Sequence, residues 1–199
     1  MLAQGAEAVL TRQGGVVLKN RIKKNYRIKK LDDKLRVKRT KREARILREA
    51  KRSGVKVPRV LEKKKTILKI EYLDGSKIKG ILDEKPQSNI DSIMENIGRS
   101  IARLHKVDII HGDLTTSNMI LVNRDVYFID FGLSFHSKGW EHKAVDLHLF
   151  HRSLISAHRA PEDKWGKVLK VYKNEYAKGS KVIKRLRRIE KRGRYVKKD

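Results

Sequence analysis

The chain has 199 residues and carries 50 Lys and Arg against 23 Asp and Glu, a formal charge of +27, with no cysteine. That length accommodates one domain or two small lobes around a cleft, and the absence of thiols excludes a disulfide framework and a thiolate metal site. No apolar run approaches the roughly 20 residues of a membrane span, and the opening MLAQGAEAVL lacks the basic start and long apolar stretch of a signal peptide, so a cytosolic protein without membrane partners is expected.

In chain order, LAQGAEAVLTR, a Gly-bearing turn at 13–15 and VVLKNRI read as short antiparallel strands around glycine turns. From about Asp33 to Ser53 the residues Leu35, Ala44, Leu47 and Ala50 recur at helical intervals, and Gly54 is a C-terminal stop. Pro58 then introduces RVLEKKKTILKIEYLDG, two strand-like runs about a lysine turn that close in a loop at Asp74-Gly75. Between Ser88 and His105 the apolar set Ile90, Ile93, Met94, Ile97, Ile101 and Leu104 marks a buried helical face. MILVNRDVYFID reads as a hairpin turning at Asn123-Arg124-Asp125, its second strand running into Asp130-Phe131-Gly132. Residues 143–158 and 161–177 are helical by spacing. The final KVIKRLRRIEKRGRYVKKD is nearly all cation, and its part KRLRRIEKRGRYVKKD, residues 184–199, has few apolar anchors and is expected to be weakly ordered alone.

Charge is unevenly spread along this order. Residues 19–52 hold 17 basic and 4 acidic side chains, residues 178–199 hold 11 and 2, and residues 98–160 hold 8 and 6. A near-neutral centre between two basic stretches suggests chemistry in the middle and a polyanion outside. A heat-adapted surface is the plainer explanation, but it raises both signs of charge.

The central chemistry lies in HGDLTTSN, residues 111–118. Asp113 and Asn118 share one loop, and the hairpin folds Asp130 back beside it, so three oxygen-bearing side chains converge. Oxygen ligands without nitrogen or sulfur suit a hard cation such as Mg²⁺, which in turn suits phosphate oxygens. Phosphoryl transfer also needs an acidic group to orient the nucleophile and a cation on the nucleotide phosphates. Lys19, in a strand after the Gly5 turn, can supply the latter. Taken singly, Asp113 and Asn118 are ordinary turn residues, and Glu43, three after Thr40, has the spacing of a helix-capping box.

HGDLTTSN with DFG resembles the catalytic loop and metal element of the protein-kinase superfamily, and VVLK resembles its phosphate-pairing lysine strand. QGAEA, VLKNRIKKNYR, KRTKREARIL, HGDLTTSNMI, DFGLS and AVDL together are similar to the PRPK-like atypical kinases of the KEOPS (EKC) complex. That resemblance implies an α+β, minimal two-lobed protein-kinase-like fold: an N-lobe of small antiparallel sheet plus helix (residues 1–73), a mainly helical C-lobe (74–179) and a basic tail (180–199). It implies an ATP- and Mg-dependent Ser/Thr phosphotransferase or ATPase that supports threonylcarbamoylation of tRNA adenosine 37. The partners it implies are the tRNA-threonylcarbamoyl transferase subunit and the other KEOPS subunits; the basic tail can reach either an acidic cleft of that subunit or tRNA, and its 11 basic against 2 acidic residues favour tRNA phosphates, which the basic surface also suits.

By position, the resemblance makes Asp113 the catalytic base or orienting group and Asn118 and Asp130 the metal ligands. Lys19 pairs with the phosphates and with Glu43. Gly5, Ala6, Glu7 and Ala8 form the phosphate-facing turn, Glu71 and Leu73 offer backbone groups to adenine, and Asp146 buttresses the catalytic loop. Two departures stand out: the turn has one glycine where the wider superfamily has three, with Glu7 beside the phosphates, and Gly112 replaces the usual Arg before the catalytic Asp. Only 13 residues separate Gly132 from Asp146, which leaves little room for a peptide-substrate platform. Two rivals remain, an aminoglycoside-type small-molecule phosphotransferase and a non-catalytic tRNA-binding scaffold.

Overall fold

A computed structural model describes residues 3–5, 7–82, 87–157 and 162–195. Strands β1 (Ala3–Gln4), β2 (Ala8–Gln13), β3 (Val16–Arg21), β4 (Val60–Lys63) and β5 (Ile67–Glu71) form one antiparallel sheet in the order β1-β2-β3-β5-β4. Gly14 turns the β2–β3 hairpin at φ 58°, a conformation that costs glycine nothing. Helix α1 (Lys29–Arg52) packs on this sheet through Ala44, Ile46, Leu47 and Ala50.

The observed α1 starts about one turn before the expected position. Asp32 explains the earlier start, because it is buried and accepts from Arg36 Nε at 2.7 Å, with Arg27 at 3.6 Å, which anchors the first turn. Thr40 therefore lies mid-helix, its hydroxyl donating to Arg36 O at 2.9 Å, and the capping-box reading of Glu43 is excluded.

Beyond β5 come β6 (Ser76–Lys77), the single turn α2 (Ile78–Ile81) and α3 (Gln87–Lys106). The expected apolar stripe of α3 is buried, with Met94, Ile97 and Ile101 fully enclosed. Helix α5 (Glu162–Glu175) lies along it so closely that a Cβ on Gly98 would meet Val168 O at 2.7 Å. Strands β7 (Ile109–Ile110) and β10 (Phe135–His136) pair antiparallel, a contact too short to leave a sequence signal. Between them β8 (Met119–Val122) and β9 (Asp125–Phe128) form the expected hairpin, with Asn123 at φ 56° in its turn. The loop before β8 and the turn after β9 are thus pinned from both sides.

Helix α4 (Trp140–Ala157) carries Asp146 beneath this loop and receives α6 (Gly179–Tyr195) on its other side. The expectation of a weakly ordered tail is corrected here. Val182, Ile183 and Leu186 are buried at helical spacing, Glu190 pairs with His151 at 3.0 Å, and Arg185 pairs with Glu141. Each fully buried aliphatic side chain contributes about 1.5–3 kcal/mol, enough to order a segment whose other faces are cationic. Residues 196–199 lie outside the described residues, as do His158 and Pro161 at the ends of the two expected helices.

Candidate functional site

The loop 111–118 is shaped by Asp146, which accepts from His111 N at 2.7 Å and Gly112 N at 2.9 Å. Gly112 sits at φ 81°, and a Cβ there would meet Leu133 O at 2.7 Å, so only glycine lets the loop approach the 131–133 turn. His111 is fully buried and contacts Ile129 O through Nε2 at 3.1 Å. These contacts give His111 a packing role and leave the polar edge of the loop to Asp113.

Asn118 Nδ2 donates to both Asp113 O (2.9 Å) and Asp113 Oδ2 (2.8 Å). Two oxygen acceptors on one side fix the amide's orientation, because the flipped form would set oxygen against oxygen. Asn118 Oδ1 therefore faces away from Asp113. Its main-chain carbonyl accepts from Ile129 N at 2.9 Å, which ties the loop to the end of β9 one residue before Asp130.

Asp130 occupies the left-handed region, φ 58° and ψ 68°, and its Oδ1 accepts from Gly132 N at 3.1 Å. A non-glycine residue in that region is strained by about 1–3 kcal/mol and persists where surrounding contacts hold it. The same Oδ1 lies 2.7 Å from Lys19 Nζ. Lys19 also meets Glu43 Oε1 at 2.7 Å, and Arg21 Nη2 meets Glu43 Oε2 at 2.5 Å. Burial opposes the Lys19 charge, but Glu43 and Asp130 outweigh it and hold the ammonium above its usual range. Burial likewise works to raise the Asp130 carboxyl, and Lys19 outweighs it, so Asp130 sits below the usual carboxylate range.

These residues open onto a cleft of about 350 Å³ lined by Gly5, Glu7, Ala8, Lys19, Asp113 and Asp130, among others. Gly5 N donates to Ala8 O at 3.0 Å and closes the β1–β2 turn over the cleft. Ala6, expected in the same turn, lies outside the described residues. Glu71 is at the end of β5 and Leu73 just beyond it, and neither is among the described residues that line the cleft. The Glu71 N–H donates to Arg59 O at 2.9 Å, and Arg59 N returns a bond to the Glu71 carboxylate at 3.1 Å, so this side chain ties the strand end together.

Two charged cleft residues, Arg21 and Arg39, were given no role by the sequence reading. Arg21 shares Glu43 with Lys19, and its position two residues along the same strand places it on the same face. Arg39, one helical turn before Glu43, lines the cleft and meets Glu7 Oε2 at 2.5 Å. Both spacings are visible in the sequence, but they are submerged in a segment where every second or third residue is basic.

Among the described residues no group of three or more His, Cys, Asp or Glu side chains is placed to hold a metal ion by itself. The oxygens at hand, Asn118 Oδ1 and the Asp130 carboxylate, fit a hard cation that takes its remaining ligands from phosphate and water. Among the described residues no helix is long and apolar enough to cross a membrane.

A profile of the RIO domain matches residues 15–146. The KEOPS complex subunit Bud32 of Pyrococcus abyssi is 46% identical over 185 residues, which cover 90% of this chain and 84% of that protein. A probable bifunctional tRNA threonylcarbamoyladenosine biosynthesis protein of Methanosarcina barkeri is 34% identical over 98% of this chain, which spans 36% of that longer relative. The solved Rio2 kinase-ADP/Mg²⁺-phosphoaspartate complex of Chaetomium thermophilum shares the fold, with a TM-score of 0.62 at 15% identity over 98% of this chain and 70% of that one. The chain belongs to the RIO-domain family of the protein-kinase superfamily, alongside the Bud32 subunits of KEOPS.

Proposed function

We propose that this chain is a cytoplasmic Mg-ATP-dependent phosphotransferase and ATPase of the Bud32 type. In this reading it serves formation of N6-threonylcarbamoyladenosine in tRNA as a KEOPS subunit beside the transferase. The observation that carries it is the meeting of two sets of contacts at one cleft, where Lys19 bridges Glu43 and Asp130 and Asn118 orients Asp113. A scaffold has no physical need for both sets.

The residues divide the work by their surroundings. Asp113, held at two oxygens by Asn118, orients the attacking hydroxyl or water and accepts its proton. Lys19, kept charged by Glu43, pairs with the phosphates, and the Gly5 turn lets backbone approach them. Asn118 and Asp130 would hold Mg²⁺, which supplies neutralisation of the charge that builds on the phosphoryl oxygens. The Glu71 carbonyl and the Leu73 N–H are the groups offered to adenine.

The residues after Asp146 speak against a small-molecule acceptor domain. Helix α5 is committed to α3 and α6 to α4, so these helices complete the lobe's own core. The test is turnover of γ-labelled ATP by the purified chain, alone and with tRNA and the transferase subunit. Hydrolysis or autophosphorylation that rises with those partners supports the reading, and no turnover in any combination sinks it.

A further inference from the structure

Lys19, Arg21 and Arg39 all line the cleft, but they are not equivalent. Lys19 and Arg21 are buried and both close on the buried Glu43. The Arg39 side chain is 31% exposed, and its partner Glu7, on the β1–β2 turn, is 47% exposed. An ion pair this open to water contributes little to stability. Its position is the telling feature, because Glu7 and Arg39 meet at the wall of the same cleft that holds Lys19, Asp113 and Asp130.

We propose that Arg39 is a phosphate-binding residue for the nucleotide and that Glu7 holds it in reserve. When phosphates enter, the guanidinium exchanges the Glu7 carboxylate for phosphate oxygens, and Glu7 turns to solvent. This proposal rests on the nucleotide reading of the cleft and adds to it a residue and a competition. Three physical points support it. A guanidinium presents a planar fork of donors that matches phosphate oxygens. A turn with one glycine brings little bare backbone to the phosphates, so a side-chain donor has more to contribute. A carboxylate at the mouth of a phosphate site repels its ligand, so Glu7 is tolerable there only while a cation neutralises it.

The plain alternative is a strut that ties the β1–β2 turn to α1. The two readings differ in sign. Losing either half of a strut loosens the turn equally, so Glu7→Gln and Arg39→Gln weaken nucleotide binding alike. In the exchange proposed here the variants move in opposite directions.

The experiment is calorimetric titration of the full chain with ATP, ADP and adenosine, for wild type, Glu7→Gln, Arg39→Gln and the double variant. Thermal melts show whether each variant is folded, and Arg39→Lys provides a folded, charge-retaining second variant. We expect Arg39→Gln to weaken ATP about tenfold, the size of one charge-assisted hydrogen-bonding contact, and to leave adenosine unchanged. Glu7→Gln should tighten ATP about threefold, the scale of an exposed pair, and lose that gain when Arg39 is also replaced. Arg39→Lys should fall between wild type and Arg39→Gln. Equal weakening by both single variants, or wild-type ATP affinity in Arg39→Gln, overturns the proposal while leaving the nucleotide site intact. Absence of ATP binding by wild type overturns the nucleotide reading itself, and this proposal with it.

Discussion

Asn118 holds Asp113 at two points, its Nδ2 donating to the main-chain carbonyl at 2.9 Å and to the carboxylate at 2.8 Å. The amide thus aims a carboxylate without adding charge. Asn118→Asp replaces the donor with a second carboxylate, and two like charges at that distance favour retention of a proton. ATP turnover should fall about tenfold or more at neutral pH, and the acid limb of the pH–rate profile should move upward. An unshifted limb would show that Asn118 does not act through Asp113.

Glu43 is buried and answers two cations at once, Lys19 at 2.7 Å and Arg21 at 2.5 Å. Breaking one partner of a buried ion pair typically costs about 3–5 kcal/mol, because the remaining charge is left without compensation. Asp130 still faces Lys19, so the lower end is expected: Glu43→Gln should destabilise by about 3 kcal/mol in urea denaturation and also lower turnover. A silent Glu43→Gln would mean that its carboxylate is not what balances the two cations.

The protein should lose stability in mild acid. Burial pushes His105 and His111 below the ordinary imidazole range, and His105 lies between the Tyr172 hydroxyl at 2.8 Å and Asp146 at 3.4 Å. In the unfolded chain each takes up a proton near pH ~6.5. The unfolded state then binds more protons than the native one, so stability is full above about pH 6.5 and falls as pH drops toward the lowered native values. Asp146 acts in the same direction at lower pH. Burial works to raise its carboxyl, but the His105 contact outweighs it, and the stabilisation is lost as pH falls through the lowered value. Urea midpoints measured between about pH 8 and pH 5 should decline on acidification; a flat or rising trend would contradict this account of the two histidines.

Helix α6 separates packing from charge. Truncation after Ser180 removes Val182, Ile183 and Leu186 from the core and should lower the melting temperature sharply, with activity lost through unfolding. Replacing the exposed Lys184, Arg187, Arg188 and Lys191 by Ala should instead leave the melt nearly unchanged, weaken tRNA binding and flatten its salt dependence. Unchanged tRNA affinity and salt slope in that variant would remove α6 from the proposed RNA surface.

What could be read from the sequence follows from the range over which each feature acts. The α3 stripe and the 119–128 hairpin are local periodicities, and the structure repeats them nearly residue for residue. The convergence of Asp113, Asn118 and Asp130 was legible because a short hairpin constrains their spacing. The sharing of Glu43 by Arg21, and of Arg39 by Glu7, depends on how α1 lies over the sheet. That docking is tertiary, and a segment with so many cations hides which of them turn inward. Helix α6 was misread for a related reason: Val182, Ile183, Leu186 and Ile189 are at helical intervals, but the surrounding Lys and Arg dominate any composition-based reading.

In the proposed function Asp113 and Asp130 perform Mg-dependent phosphoryl chemistry in this cleft. The most direct measurement is Mg²⁺-dependent turnover of labelled ATP by wild type, Asp113→Asn and Asp130→Ala, with nucleotide affinity measured in parallel. Asp130→Ala should abolish the Mg-dependent rate. Asp113→Asn should lower that rate by about 10²- to 10⁴-fold with nucleotide affinity largely kept. Wild-type turnover in either variant would rule these two roles out.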